Sequence, residues 1–253
     1  MEFTVKQLQE FGRCPLKYKF GFADDLRYRK DRDEELADSL KSATTWFFDK
    51  VEMGVPPTKR MLRQKWGKIW HDGKNVYDIL FDTSYKYERR RNIKGIKVLD
   101  KFYDRFIEDP GIIILNNYPF EVPIKGGHIL KGRFDVVREI DDGTNKKLEL
   151  MNFRSDKYAP QLRVKERDLL LTMHDYAFRK TFEQIPDQLA YYAFKNDRLE
   201  AISPMDEKRF ARMEAMVNNI ASIIEQELYY PRFDEKHYMC RHCDYSTLCS
   251  RWR

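Results

Sequence analysis

Four cysteines are the whole thiol complement of this 253-residue chain, and three of them crowd its end. Cys240-Arg241-His242-Cys243-Asp244-Tyr245-Ser246-Thr247-Leu248-Cys249 reads C-x2-C-x5-C. Thiolates this close in sequence converge on one ion or cluster at little loop-closure cost, and a closed tetrahedral centre requires a fourth soft ligand. Cys14 is the remaining thiol. As that ligand it would tie the two ends of the chain to one inorganic centre, so that loss of the metal loosens both. The alternative leaves Cys14 as a small buried apolar residue and completes a zinc site with His237 or His242. Disulfides rank below both: Met1-Glu2-Phe3-Thr4-Val5-Lys6 lacks the basic start and apolar core of a secretory signal. The expected setting is therefore a reducing cytoplasm, that of the host for a viral chain.

A second chemistry could come from cations. The chain carries 47 Lys and Arg against 41 Asp and Glu, a net +6, which permits a polyanionic partner without requiring one. The clustering says more. Lys59, Arg60, Arg63, Lys65 and Lys68 interleave with Trp66 and Trp70, while Arg89, Arg90, Arg91, Lys94, Lys97 and Lys101 follow Tyr85 and Tyr87. Basic groups beside exposed rings suit a nucleic-acid backbone with stacked bases, which makes Lys59, Arg60, Arg63, Lys65 and Arg89 to Arg91 candidate contacts. Leu62, Trp66, Ile69 and Trp70 also have helical spacing, and a helix would bury the tryptophans and leave the lysines as a solvated face. Both readings stand at this point. No stretch approaches the roughly 20 apolar residues that a membrane helix needs.

The elements that must position these groups follow from periodicity and turn chemistry. Thr4 with Gln7 caps a short helix over 4–20, interrupted by a turn at Cys14-Pro15. Further helices are predicted over 36–52, 57–71 and 84–108, the last weakened in the middle by Gly95 and stopped by Asp109-Pro110-Gly111. Four short runs rich in branched and aromatic residues come next, at 112–115, 118–124, 128–140 and 148–153. Lys125-Gly126-Gly127 and Asp141-Asp142-Gly143 turn between them, which describes an antiparallel meander. A helix over 164–182, a strand over 188–194 and a long helix over 203–228 complete an α/β pattern of a mixed sheet flanked by helices. The tail from Pro231 reads as polar and irregular until a metal orders it.

In this order, a helix ending in Cys14-Pro15-Leu16-Lys17-Tyr18-Lys19-Phe20, a helical insert, a Gly132-Arg133-Phe134-Asp135 hairpin, then helix, strand, helix and C-x2-C-x5-C, the chain resembles a known family. That family is the iron–sulfur branch of the PD-(D/E)XK nuclease superfamily, which includes the CRISPR-adaptation RecB-like exonucleases and AddB-type helicase-nuclease subunits. The resemblance runs from Phe3 to Cys249. It implies one restriction-endonuclease-like domain over 1–253, made of a helical insert at about 23–110, a core at about 111–230 and a cluster-binding segment of 231–253 plus Cys14. It also implies a [4Fe-4S] cluster on Cys14, Cys240, Cys243 and Cys249 that staples the fold.

Active members of the family hold a divalent ion, Mg or Mn, with carboxylates and a lysine on neighbouring strands, because phosphodiester hydrolysis needs activated water and a cation against developing charge. Asp135 matches the first carboxylate. The next strand, where the family has Asp-x-Lys, reads Asn152-Phe153-Arg154. Asn152 lacks the charge that holds a metal firmly, and Arg154 replaces a compact ammonium with a broad guanidinium. Glu149 is the neighbouring carboxylate, but strand alternation points it away from Asn152 and Arg154 unless a bulge intervenes. The family's early-helix histidine aligns with Thr44 or Thr45, and its Gln-x-x-x-Tyr motif with Leu169 to Met173. His174 and Asp175 nearby read as structural or solvated residues. With its partners replaced, Asp135 is expected to pair with Arg154. The implied function is a nuclease-like protein that has lost, or nearly lost, hydrolysis, a nucleic-acid-binding (DNA above RNA) or protein-binding component of a DNA- or RNA-handling machine. Its alternatives are a working metal-dependent nuclease built on Asp135, Glu149, Asn152 and Arg154, and a purely structural interaction subunit.

Overall fold

The computed structural model describes residues 1–253 except 27–31, 77–84, 142, 155–167, 233–236, 242 and 253. The chain divides into two compact units. The smaller comprises Met1–Tyr28, Phe120–Gly132 and Asp206–Arg253, the larger Arg29–Pro119 and Arg133–Met205.

In the smaller unit, a short strand β1 (Glu2–Thr4) lies parallel to the first residues of β3 (Ile129–Asp141), Glu2 opposite Ile129 and Thr4 opposite Lys131. Helix α1 (Val5–Arg13) starts on the capping box read from Thr4 and Gln7. It stops where Cys14 turns to extended backbone (φ −162°, ψ 114°), and Pro15 opens the four-residue helix α2 (Pro15–Tyr18). Proline suits that place because the first turn of a helix needs no N–H from it. A π-helical turn follows over Lys19–Ala23. Strand β2 (Ile112–Pro123) joins the two runs expected at 112–115 and 118–124 into one. The Gly126-Gly127 turn then leads into β3. Gly126 has φ +107°, and a Cβ there would meet the side chain of Asn218 at 2.2 Å, so glycine is required twice over. The glycine of the Gly132-to-Asp135 motif has a packing reason: the Phe120 ring occupies the place of its missing Cβ.

In the larger unit, β3 runs antiparallel to β4 (Lys146–Arg154), β4 parallel to β5 (Gln188–Ala193), and β5 antiparallel to β6 (Arg198–Ile202). One edge strand, β6, was not expected from the sequence; its five residues follow a turn and carry only a weak apolar pattern. Helices α3 (Arg32–Glu52), α4 (Lys59–Val76) and α5 (Tyr85–Phe106) bury Phe47, Phe48, Trp66, Trp70, Phe102 and Phe106 against Val136, Met151, Phe153 and Tyr192 of the strands. Several ring pairs here meet edge to face, as with Phe47 on Phe48 at 5.2 Å, while Phe48 stacks on Phe153. Helix α6 (Leu169–Phe182) is capped by Asp168, whose carboxylate accepts the Leu171 N–H at 3.2 Å; residues 164–167, where the helix was expected to begin, lie outside the described residues. Helix α7 (Glu207–Glu225), of the smaller unit, matches the long helix expected there.

The tryptophans settle one open alternative. Trp66 and Trp70 are buried, stacked on one another at 5.4 Å, and Trp66 donates its indole N–H to Asn92. They are core residues and offer no ring to a base. Gly95 on α5 is what admits Trp66, since a Cβ at position 95 would fall 2.1 Å from the indole. Gly67 on α4 has no such neighbour. Alanine normally stabilises an exposed helix interior by about 1 kcal/mol over glycine. Gly67→Ala should therefore raise the unfolding midpoint slightly, whereas Gly95→Ala should lower it by the overpacking cost of about 1–3 kcal/mol; thermal unfolding of the two variants checks the contrast.

Candidate functional site

The smaller unit gathers the thiols. Cys14 ends α1 and begins α2, its N–H donating to the Glu10 carbonyl (2.9 Å) while its own carbonyl accepts from Tyr18 (3.0 Å). The tail expected to be irregular carries two short helices, α8 (Tyr238–Arg241) and α9 (Ser246–Trp252). Cys240 lies on α8, Cys249 on α9 and Cys243 between them, with turn bonds from Cys243 N–H to the Cys240 carbonyl (3.2 Å) and from Ser246 N–H to the Cys243 carbonyl (3.1 Å). All four cysteines line one cavity of about 270 Å³, together with Leu16, Phe20 and Tyr245. They are free thiols. Burial pushes the Cys243 thiol up; the Tyr245 N–H and Lys17 oppose this, and Asp244 and Cys14 add to it. His237 accepts the Met239 N–H through its ring (3.3 Å), and His242 lies outside the described residues. Among the described residues no three Cys, His, Asp or Glu side chains form a group that could hold a single metal ion directly. The donor set, four cysteines on one apolar-walled cavity, fits a thiolate-held cluster.

The larger unit holds the residues that match the nuclease motif. Asp135 is 2% exposed; one carboxylate oxygen accepts the Phe153 N–H (2.9 Å) and the other forms an ion pair with Lys41 Nζ of α3 (2.5 Å). The expected partner, Arg154, is bound to Asp168, the cap of α6, and its guanidinium lies over the Tyr191 ring at 5.6 Å. The Asp135–Arg154 pair is thus replaced by two separate pairs, because Lys41 and Asp168 supply closer counter-charges than the strands supply to each other. Asn152 is fully buried, and neither atom of its amide has a protein partner among the described residues.

Glu149 is held elsewhere. It pairs with Arg138, its partner across the β3–β4 ladder, at 2.7 Å and accepts from Gln188 at 2.6 Å. Arg138 in turn lies over Phe106 at 5.1 Å. Alternation along β4 puts Glu149 with Met151 and Phe153 on the face covered by α3 to α5, and Asn152 and Arg154 on the other. The four motif residues are not brought to one centre.

Of the two expected readings, structural or solvated, His174 and Asp175 take the structural one: both are buried. Asp175 takes Arg179 at 2.8 Å and the Met205 N–H at 2.7 Å. His174 packs edge-on to Phe134, and burial, reinforced by the charges of Lys41 and Arg154, pulls its pKa down to about 3. Lys41 and Asp168 are the site residues that sequence reasoning missed. Asp168 carried a signal, as an aspartate directly before an apolar helix; Lys41 carried only its place one turn before Thr44.

Lys41 also lines an open hollow of about 450 Å³ with Asp38, Thr45, Trp46, Lys65 and Asn117. Of the candidate nucleic-acid contacts, Lys59 pairs with Asp104 and Arg63 with Asp100, the latter through two bonds of 2.7 and 2.8 Å. Arg60, Arg89 and Arg90 are exposed, Arg91 is half-buried, and the side chains of Tyr85 and Tyr87 lie outside the described ones. Lys41 and Lys65 share the hollow with Asp38 and Asp49, and among the described residues no group of carboxylates is gathered for a divalent ion. A carboxylate paired with an ammonium, an uncharged Asn152 and an occupied Arg154 do not fit a hydrolytic metal centre.

A histidine whose folded-state pKa lies below its unfolded value takes up its proton on unfolding. The stability this gives His174 is complete above about pH 6.5 and is lost as the pH falls from there towards 3. Stability should drop between pH 6.5 and 5 with a slope approaching about 1.4 kcal/mol per pH unit, and His174→Gln should flatten that slope; chemical denaturation at a series of pH values checks this.

Comparisons place this geometry in a family. The sequence model of the PD-(D/E)XK nuclease superfamily matches residues 2–250. No curated protein matches the chain by sequence. Among solved structures, that of a presumed exonuclease from Eubacterium rectale superposes with a TM-score of 0.54 at 12% identity, over 94% of this chain and 86% of that one. The structure of SSO0001 is 17% identical over 99% of this chain and 86% of its own, with a TM-score of 0.43 too low to bear on the fold. With a mixed sheet flanked by helices and a family match over nearly its whole length, the chain belongs to the PD-(D/E)XK nuclease superfamily.

Proposed function

We propose that this chain is a nuclease-fold protein without hydrolytic activity, which serves as a nucleic-acid-binding or protein-binding component of a DNA- or RNA-handling assembly. One observation carries the reading. The single motif carboxylate, Asp135, is already neutralised by the Lys41 ammonium, and Asn152 and Arg154 offer a metal no second anion. The fold supports an interaction with nucleic acid, DNA before RNA, and Lys59, Arg60, Arg63, Lys65, Arg89, Arg90 and Arg91 are the cations that would give it, Lys59 and Arg63 while also paired with Asp104 and Asp100. Incubation with labelled single- and double-stranded DNA plus Mg²⁺ or Mn²⁺ should give no cleavage above buffer. Metal-dependent cleavage that disappears in Asp135→Ala would establish the active-nuclease reading instead. Retention on DNA should fall steeply with salt, because phosphate contacts release counterions, and Arg60→Glu with Arg89→Glu should weaken it further. No retention at any salt, with a protein partner captured, would mark a structural subunit.

The cavity residues Cys14, Cys240, Cys243 and Cys249 would hold a [4Fe-4S] cluster. When bound, it supplies metal–thiolate bonds whose free energy adds to folding. The chain's own part is to present four thiols from α2, α8 and α9 and to exclude water with Leu16, Phe20 and Tyr245. Anaerobically purified protein should be brown with charge-transfer absorbance, and Cys243→Ser should be colourless and poorly soluble. A colourless wild type holding zinc would replace the cluster by the zinc alternative.

A further inference from the structure

We infer that Lys41 is a built-in cation: its tethered ammonium takes the electrostatic place of a divalent ion at Asp135, which closes the site to metal and makes the fold's stability independent of it. This rests on the reading of the site as non-hydrolytic. A carboxylate that is 2% exposed cannot remain ionised without compensation. The Phe153 N–H serves one of its oxygens, and among the described residues the cation on the other is Lys41 Nζ at 2.5 Å. The neighbouring charges are balanced as they stand. Lys41 and Arg154 carry two positive charges, Asp135 and Asp168 two negative ones, and His174 is neutral at ordinary pH. A divalent ion added to these two ion pairs would bring two further positive charges beside carboxylates that Lys41 and Arg154 already match.

The lysine is also the access route. Its side chain is 44% exposed, lines the hollow on α3 and reaches from there to Asp135. Truncating it leaves a buried carboxylate without its counter-charge and opens a way to it from solvent. A cation from solution can then enter and take the place of the ammonium at the carboxylate.

Thermal unfolding of the full chain with and without saturating Mn²⁺ tests this without reference to cleavage. Wild type should unfold at the same temperature in both conditions. Lys41→Ala should unfold several degrees lower without Mn²⁺ and recover most of the loss with it. Lys41→Ala/Asp135→Asn should be more stable than Lys41→Ala and indifferent to Mn²⁺, because a neutral side chain needs no cation. Should Lys41→Ala fail to fold, recovery of folding by Mn²⁺ or by the added Asp135→Asn supports the inference, and failure under both rescues overturns it. The inference is also overturned if Lys41→Ala matches wild type and ignores Mn²⁺, or if Mn²⁺ stabilises wild type in a manner that Asp135→Asn abolishes. Cleavage by wild type would refute the proposed function; the metal response of Lys41→Ala is read separately.

Discussion

A carboxylate placed inside a protein must be matched by a positive charge, and in the larger unit this requirement organises the site. Asp135 lies on β3, its oxygens facing the Phe153 N–H of β4 and the ammonium of Lys41 on α3. The pair therefore joins the helical layer to the strands as well as neutralising a charge. Arg154, relieved of Asp135, reaches Asp168 and so anchors the start of α6. Removing one member of such a pair costs about 3–5 kcal/mol, because the other is left charged and buried. Both pairs thus tie elements of the nuclease fold to one another.

The opposite face of β4 obeys the same rule with different residues. Glu149 is as deeply buried as Asp135 and is matched by Arg138, itself spread over Phe106. Had Glu149 stood beside Asn152, the two oxygens could have shared a cation, but one residue of pleat separates the faces. In the smaller unit the comparable demand falls on the thiols. Burial pushes the Cys243 thiol up and so favours its protonated form in the folded chain.

Much of this was legible in the sequence. The capping box at Thr4, the helix over 36–52 and the turns of the meander after Gly111 follow from local chemistry, and the C-x2-C-x5-C spacing with Cys14 as the remaining thiol pointed to the cavity that the four cysteines line. The orientation of Glu149 followed from strand alternation alone. What escaped were features decided by tertiary packing. β1 and β6 are too short to show a period, and the two halves of β2 were separated by Asn116 and Asn117, which a strand tolerates here because Asn116 bonds to Thr45 and Asp49. Trp66 could be placed inside or outside until the gap at Gly95 showed where its ring goes. Lys41 was invisible because nothing in a helical Leu40-Lys41-Ser42 run announces that its ammonium will cross to a strand.

Direct observation of manganese at the site tests the account most sharply. Electron paramagnetic resonance of Mn²⁺ titrated into wild type and into Asp135→Asn should give the same free-ion signal at every ratio, because Lys41 already fills the charge that Asp135 offers. One Mn²⁺ bound per wild-type chain and lost in Asp135→Asn would show that the carboxylate still holds metal, and the account would be wrong.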